Sequence, residues 1–340
     1  MPIIKVQDIA YVRFAAPDLS EMRSFLEDFG MICFEGDDGR LYARGHGSLP
    51  FLHSTEQGEP GFRGLGFLAE SIADLEKLAA FERVAVEDFK APGGGKVVRM
   101  TDPNGFPIEV VAGQVLREVD AVPLDLARNT ATARSRESAT IRLEPGPSHV
   151  IRLGHCVLGV ADFQISEAWY KERLGFITSD EIEATPGVSL GAFLRCDRGD
   201  TPTDHHTVFL AQLPTGIAYQ HAAYEVANID DLMLGHTHLD AASRMLSWGV
   251  GRHKLGSQVF DYWKDPWGHE LEHWTDGDLF TAADGSNMAT MADLIAVQWG
   301  TPHTAFSGKF VPGPKVIGFF LALQIRFKRL FRRAPKGIPA

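Results

Sequence analysis

Thr101-Asp-Pro-Asn-Gly-Phe-Pro-Ile-Glu109 and Lys264-Asp-Pro-Trp-Gly-His-Glu-Leu-Glu272 close two stretches of this chain in nearly the same way, with Asp-Pro-x-Gly followed by a terminal carboxylate. The likeness extends backwards from both. Ile9 to Gly30 aligns without gaps with Gly154 to Gly175, and each reads as a strand, a turn and an amphipathic helix stopped by glycine. Arg63 to Leu75 pairs in the same way with Gln220 to Leu232. The chain is an internal duplication. Across that alignment His155 faces Ala10, His221 faces Gly64 and Glu272 faces Glu109, so the second half holds two imidazoles and a carboxylate where the first holds the carboxylate alone.

At 340 residues the length prior gives about two domains, in agreement with the duplication. A hydrophobic fraction of 44% with 23% charged residues is that of an ordinary globular protein able to bury a sizeable core. Lys and Arg number 33 against 44 Asp and Glu, a net charge of −11 that argues against nucleic acid as a partner. Cys33, Cys156 and Cys196 are too few and too scattered for a disulfide framework or a Cys-x-x-Cys zinc site, so a reducing cytoplasm is expected. Met-Pro-Ile-Ile-Lys does not read as a signal peptide, and no apolar run approaches the ~20 residues that span a bilayer.

Residues 1–113 read as a first domain of two similar modules, each one strand, one helix and several strands, and 114–148 as a connector whose Pro145-Gly-Pro147 marks a boundary. The second domain, 149–276, follows the same plan, with its modules meeting near Leu213-Pro-Thr-Gly216. Residues 277–310 read as a polar, irregular extension packed over the second domain. In 311–340, Phe319, Leu323, Phe327 and Leu330 recur at helical spacing with cations behind them, which fits a helix on an anionic membrane surface, one docked on a neighbouring subunit, or a partly ordered tail.

Two imidazoles and a carboxylate with no thiolate nearby suit a divalent first-row metal of intermediate hardness. Three protein ligands on one face leave positions open, as in non-haem Fe(II) oxygenases. Each candidate sits on a strand: His155 on the first strand of one module, His221 on the first strand of the next, Glu272 on that module's last strand. A curved sheet formed by the two modules brings all three to a central cavity. Cys156, beside His155, points to the opposite face and reads as core.

The set formed by Leu153-Gly-His155, Asp204-His-His-Thr207, His221-Ala-Ala-Tyr-Glu-Val226, Gly251-Arg-His253 and Phe260-Asp-Tyr-Trp-Lys-Asp-Pro-Trp-Gly268 with Glu272 resembles the type I extradiol ring-cleavage dioxygenases of the vicinal oxygen chelate superfamily. The resemblance covers residues 1 to about 276. It implies an α+β fold of tandem βαβββ modules, two per domain, with the metal only in the C-terminal domain. It further implies that His155, His221 and Glu272 bind Fe(II), or Mn(II) in some relatives, and that a substituted catechol and O2 are the substrates. His206 becomes the acid/base, and His253 and Tyr262 hydrogen-bond the substrate oxygens and the intermediate that follows oxygen addition. A homo-oligomer is expected.

Other readings stand beside these. His205 and His206 alternate across a strand, so one alone faces the cavity, and His206 is preferred. Tyr262 is otherwise a buried aromatic, and His253, after the loop-like Gly249-Val-Gly-Arg252, an exposed side chain. His236, His238, His269 and His273 read as surface or packing residues. Lys254-Leu-Gly-Ser257 stands where some relatives place an acid, and Trp248 where relatives acting on carboxylate-bearing catechols tend to carry Arg, which points to an aryl- or alkyl-substituted catechol. The same ligands also serve a non-oxidative metalloenzyme, a glyoxalase-like isomerase or thiol transferase, and the same cavity an aromatic-binding protein.

Overall fold

Both Asp-Pro-x-Gly stretches fold into the same turn, and the aspartate holds it. Asp102 accepts from the backbone N–H of Asn104 (2.8 Å) and Phe106 (2.9 Å), and Asp265 from those of Trp267 (2.9 Å) and His269 (2.8 Å). Gly105 and Gly268 take φ near +90° (+90° and +91°), which side chains rarely adopt. Each turn therefore delivers the following strand, and its glutamate, in the same pose.

A computed structural model describes residues 1–122 and 127–303. The first half runs β1 (Val6–Ala16), α1 (Leu19–Asp28), β2 (Ile32–Glu35), β3 (Leu41–Arg44), β4 (His53–Gln57), then β5 (Gly61–Ala69), α2 (Ile72–Glu82), β6 (Val86–Asp88), β7 (Lys96–Thr101) and β8 (Pro107–Ala112). The second runs β9 (Val150–Gly159), α3 (Phe163–Leu174), β10 (Phe176–Thr185), β11 (Val188–Cys196), β12 (Thr203–Asp204), β13 (Val208–Ala211), then β14 (Ala218–Val226), α4 (Ile229–Ala241), β15 (Met245–His253), β16 (Val259–Lys264) and β17 (Glu270–Thr275). Four βαβββ modules are thus present, the short β12 aside. The first sheet has the order β2-β3-β4-β1-β5-β8-β7-β6, and the second repeats it as β10-β11-β13-β9-β14-β17-β16-β15. The modules of each half join back to back through their first strands, β1 with β5 and β9 with β14.

Helix signals read from the sequence are realised as capping. Asp162 accepts from Ile165 N–H at the start of α3, and Gly175 ends it in the left-handed region (φ +75°). Asp18 caps α1 likewise. The turn between the later modules is closed by Gly216 N–H donating to Leu213 O (3.0 Å).

The extension departs from expectation. It is not irregular: β18 (Leu279–Phe280) pairs with β12, β19 (Asn287–Thr290) adds to β10 at one edge of the second sheet, and β20 (Val297–Gly300) adds to β15 at the other. A free edge is a row of unpaired N–H and C=O groups, and these strands satisfy it. Only α5 (Met291–Leu294) and two further residues separate β19 from β20, so the sheet curls far enough for a short strap to tie its two edges. Ala289, Met291 and Leu294 of that strap pack on Val157, Ile182, Phe193 and Phe209.

Residues 1–301 pack as one unit, with one large apolar cluster running through both halves. Among the described residues no helix is long and apolar enough to cross a membrane. The basic segment 311–340 lies outside the described residues.

Candidate metal centre

Residues directly opposed on neighbouring strands point to the same face of a sheet. His155 on β9 opposes Ala223 on β14, Ala223 opposes Glu272 on β17, and Glu272 opposes Tyr262 on β16. His221 precedes Ala223 by two and so shares that face. Three adjacent central strands therefore present His155, His221 and Glu272 together. The Nε2 atoms of His155 and His221 lie 3.2 and 3.3 Å from Glu272 Oε2, and one ligand atom from each of the three residues falls within 4.8 Å of the others.

The donors fit a cation. Glu272 is fully buried and His155 nearly so, and Glu272 Oε1 has no hydrogen-bond partner. Buried polar atoms left unpaired are uncommon and call for an explanation such as an ion. Burial opposes the charge on Glu272, but the neighbouring His155, His221 and His253 imidazoles outweigh it and hold its pKa well below the usual range. Burial pushes the His155 pKa down, against the pull of Glu272, which keeps the imidazole neutral. A neutral His155 beside an ionised Glu272 is in the protonation state that metal ligation requires.

His206 is buried, its ring centroid 3.9 Å from that of His155. Burial, with His155 and His205 beside it, pulls its pKa well below the ordinary histidine value. The expected alternation of His205 and His206 fails. They occupy the bend between β12 and β13 rather than a strand, and both are buried with their Nδ1 atoms 3.1 Å apart. His253 is likewise not in a loop: it ends β15, with Nε2 3.0 Å from the Tyr262 hydroxyl and 3.7 Å from Glu272 Oε1. Tyr262 is buried, and burial first and Glu272 second raise its pKa well above 10.0, so it stays a donor. Ser257, after Lys254-Leu-Gly, donates to Asp278 (2.9 Å), away from His253. Trp248 on β15 opposes Tyr262 on β16, stacks on it (5.3 Å) and lies tilted against Phe260 (4.3 Å).

The remaining histidines have packing roles. His236 meets Asp261 (3.0 Å), His238 meets Asp28 (3.0 Å), and His269 meets Asp265 (2.7 Å). His273 turns away from the centre and donates through Nε2 to Phe29 O (2.8 Å), its ring 3.8 Å from that of Phe29. The first half thereby backs the very strand that carries Glu272.

The first half also shows what stands where the second has its histidines, and it corrects the gapless alignment. Tyr11 and Glu109 both oppose Gly66 as His155 and Glu272 both oppose Ala223, and the capping residues Asp18 and Asp162 agree with that offset. The counterpart of His155 is Tyr11 rather than Ala10; the difference is absorbed in α1, which is shorter than α3. Tyr11 donates to Glu109 (2.7 Å), and Arg13 (2.6 Å) and Arg99 (2.8 Å) pair with the same carboxylate. Arg99 opposes Glu109 as Tyr262 opposes Glu272. At the place of His221 stands Gly64, with φ +125° and an added Cβ only 2.3 Å from Pro107 O. Phe51 and Phe89 pack on Tyr11 and fill the space. Two guanidiniums face Glu109 where two imidazoles face Glu272 in the other half. This exchange, and Asp180 beneath His205, carried no signal in the spacing of the sequence.

Four curled modules and a two-histidine, one-carboxylate centre on the inner face of the second pair define a metal-dependent enzyme fold. Residues 152–273 match the model of the Glyoxalase/Bleomycin resistance protein/Dioxygenase superfamily. It is 27% identical over 305 residues to metapyrocatechase 2 of Cupriavidus necator, covering 87% of this chain and 89% of that one. It is 28% identical over 286 residues to biphenyl-2,3-diol 1,2-dioxygenase of Paraburkholderia xenovorans (strain LB400), covering 79% and 88%. The fold is shared with the Mn(II)-bound glyoxalase of Novosphingobium aromaticivorans, at a TM-score of 0.71 with 22% identity, over 88% of this chain and 93% of that one.

Proposed function

We propose that this chain is an Fe(II)-dependent extradiol dioxygenase that opens a substituted catechol beside its vicinal hydroxyls, with Mn(II) as the alternative metal. The carrying observation is the convergence of His155, His221 and Glu272 within 4.8 Å, with His206, His253 and Tyr262 set around them. Extradiol relatives matched over most of the chain support the same reading.

His155, His221 and Glu272 would hold the metal, which supplies Lewis acidity toward the catechol oxygens and open positions for both substrates. The protein's own residues do the rest. His206, kept neutral by burial, accepts a phenolic proton and later returns it. Tyr262 and His253 place donors where negative charge grows on oxygen. Phe193 packs on His206 within an apolar cluster with Val157 and Phe209, and Trp248 stacks on Tyr262; apolar and aromatic surroundings of this kind suit an aryl or alkyl substituent. The three free thiols suit a reducing cytoplasm.

The test is full-length protein loaded anaerobically with Fe(II) and given a panel of catechols. A yellow ring-opened product with equimolar O2 uptake is expected, and His155→Ala or Glu272→Ala should abolish iron retention. Turnover without O2 uptake would move the chain to the non-oxidative isomerases of the same fold, and full iron content in those variants would overturn the ligand set.

A further inference from the structure

His206 is joined to a buried polar chain that the reading above leaves unused. His205 Nδ1 lies 3.1 Å from His206 Nδ1, and His205 Nε2 lies 2.7 Å from Asp180 Oδ2. Asp180, His205 and His206 are 8%, 1% and 4% exposed. Both ring nitrogens of His205 are therefore committed, one to a carboxylate and one to the neighbouring imidazole.

The pose of His205 is fixed from several sides. Its carbonyl accepts from the Ser179 hydroxyl (2.6 Å), which in turn accepts from Arg195 (2.8 Å), and its N–H donates to Asp278 O (2.9 Å). Gly256 lies against its ring, where an added Cβ would come within 3.0 Å of Nδ1. Phe193 packs on both imidazoles, at 5.0 and 4.7 Å.

We infer that Asp180 and His205 are positioning residues that fix the tautomer of His206, leaving its Nε2 as the basic nitrogen; the catalytic meaning rests on the function proposed above. An ionised carboxylate only accepts, so His205 Nε2 must donate to Asp180. In a neutral ring that leaves the lone pair on His205 Nδ1, which accepts from His206 Nδ1–H. The lone pair of His206 is then on Nε2, available to take the phenolic proton. A carboxylate behind an imidazole sets the tautomer in acid–base triads by the same logic, here lengthened by one ring. Asp180 comes from β10 and the histidine pair from the bend after β12, so strand pairing across the cavity wall builds the chain.

The test has a structural arm and a kinetic arm. Two-bond 1H–15N spectra of histidine-labelled, metal-free full-length protein at neutral pH should show His206 protonated on Nδ1 and bare on Nε2. Asp180→Asn, whose amide can donate to His205 and reverse the chain, should mix or invert that tautomer, and Asp180→Glu should restore it. In Fe(II)-loaded protein, kcat per bound iron should fall by about tenfold or more in Asp180→Asn with KM nearly unchanged, and recover in Asp180→Glu. His206 protonated on Nε2 in the unmodified chain, or a tautomer indifferent to Asp180→Asn, overturns the inference. A kcat loss that vanishes on normalising to iron content also overturns it, as that is a purely structural role. Failure of every catechol to react, with the tautomer and its dependence on Asp180 intact, would refute the dioxygenase reading and leave the positioning role standing.

Discussion

His53 should make the junction of the two halves sensitive to acid. It lies on β4 at 1% exposure, stacked on Phe14 at 4.9 Å, with Nδ1 3.1 Å from the Tyr224 hydroxyl of β14 and Nε2 3.1 Å from Thr55 Oγ1. Burial pushes its pKa from 6.5 down to about 3, with Asp265 only partly offsetting it. As pH falls, the unfolded chain takes up this proton first and the folded chain refuses it. The stability contribution is therefore complete above about pH 6.5 and is lost progressively toward the folded value. Each pH unit in that window is worth about 1.4 kcal/mol, so the fall to pH 5 costs about 2 kcal/mol. Urea unfolding of the unmodified chain and of His53→Gln at pH 7.5 and pH 5 measures it. Packing lost in the variant is common to both pH values and cancels, as do the contributions of His155, His206 and His273, whose pKa values burial also lowers. The variant should lose about 2 kcal/mol less between the two pH values. An equal loss in both proteins refutes the assignment of His53 as a buried neutral imidazole.

Two further outcomes follow from the fold. Glu109→Gln leaves Arg13 and Arg99 facing a neutral acceptor; because their side chains are 25% and 42% exposed, the cost is discounted from the fully buried case to about 2 kcal/mol, with iron content unchanged. A unfolding midpoint equal to that of the unmodified chain would show that the pairing contributes nothing. Ending the chain after Asp276 removes β19 and β20 and exposes Ile182, Phe193 and Phe209, so that protein should aggregate, whereas one ending after Pro302 should remain monodisperse by light scattering. Identical behaviour of the two truncations sinks the closing role of the strap.

The architecture was legible because the chain contains its own comparison. Two Asp-Pro-x-Gly turns, glycine-stopped helices and the missing histidines of the first half encode four modules, and His155, His221 and Glu272, the candidate ligands, come together where the repeat places them. The errors arose where spacing alone cannot report on three-dimensional neighbours. A gapless alignment hid the short α1 and matched His155 with Ala10 instead of Tyr11. Strand alternation was assumed for His205 and His206, but the chain bends there. Glycines before His253 suggested a loop, yet β16 and β20 pair on either side and hold it as strand. The extension looked irregular because four-residue edge strands are formed by the demands of the sheet they complete, not by their own propensity.

Gly64 makes the asymmetry of the duplication hard to reverse. A histidine introduced there would need a backbone conformation that side chains resist, and its Cβ would collide with the Pro107 carbonyl. Restoring a second metal centre would thus require re-routing β5 against β8, besides exchanging Tyr11 and evicting two guanidiniums. The asymmetry is thus held by the backbone as well as by the side chains, which makes the two halves inequivalent as scaffolds. An engineer seeking two active centres in one polypeptide would do better to duplicate the second half than to repair the first.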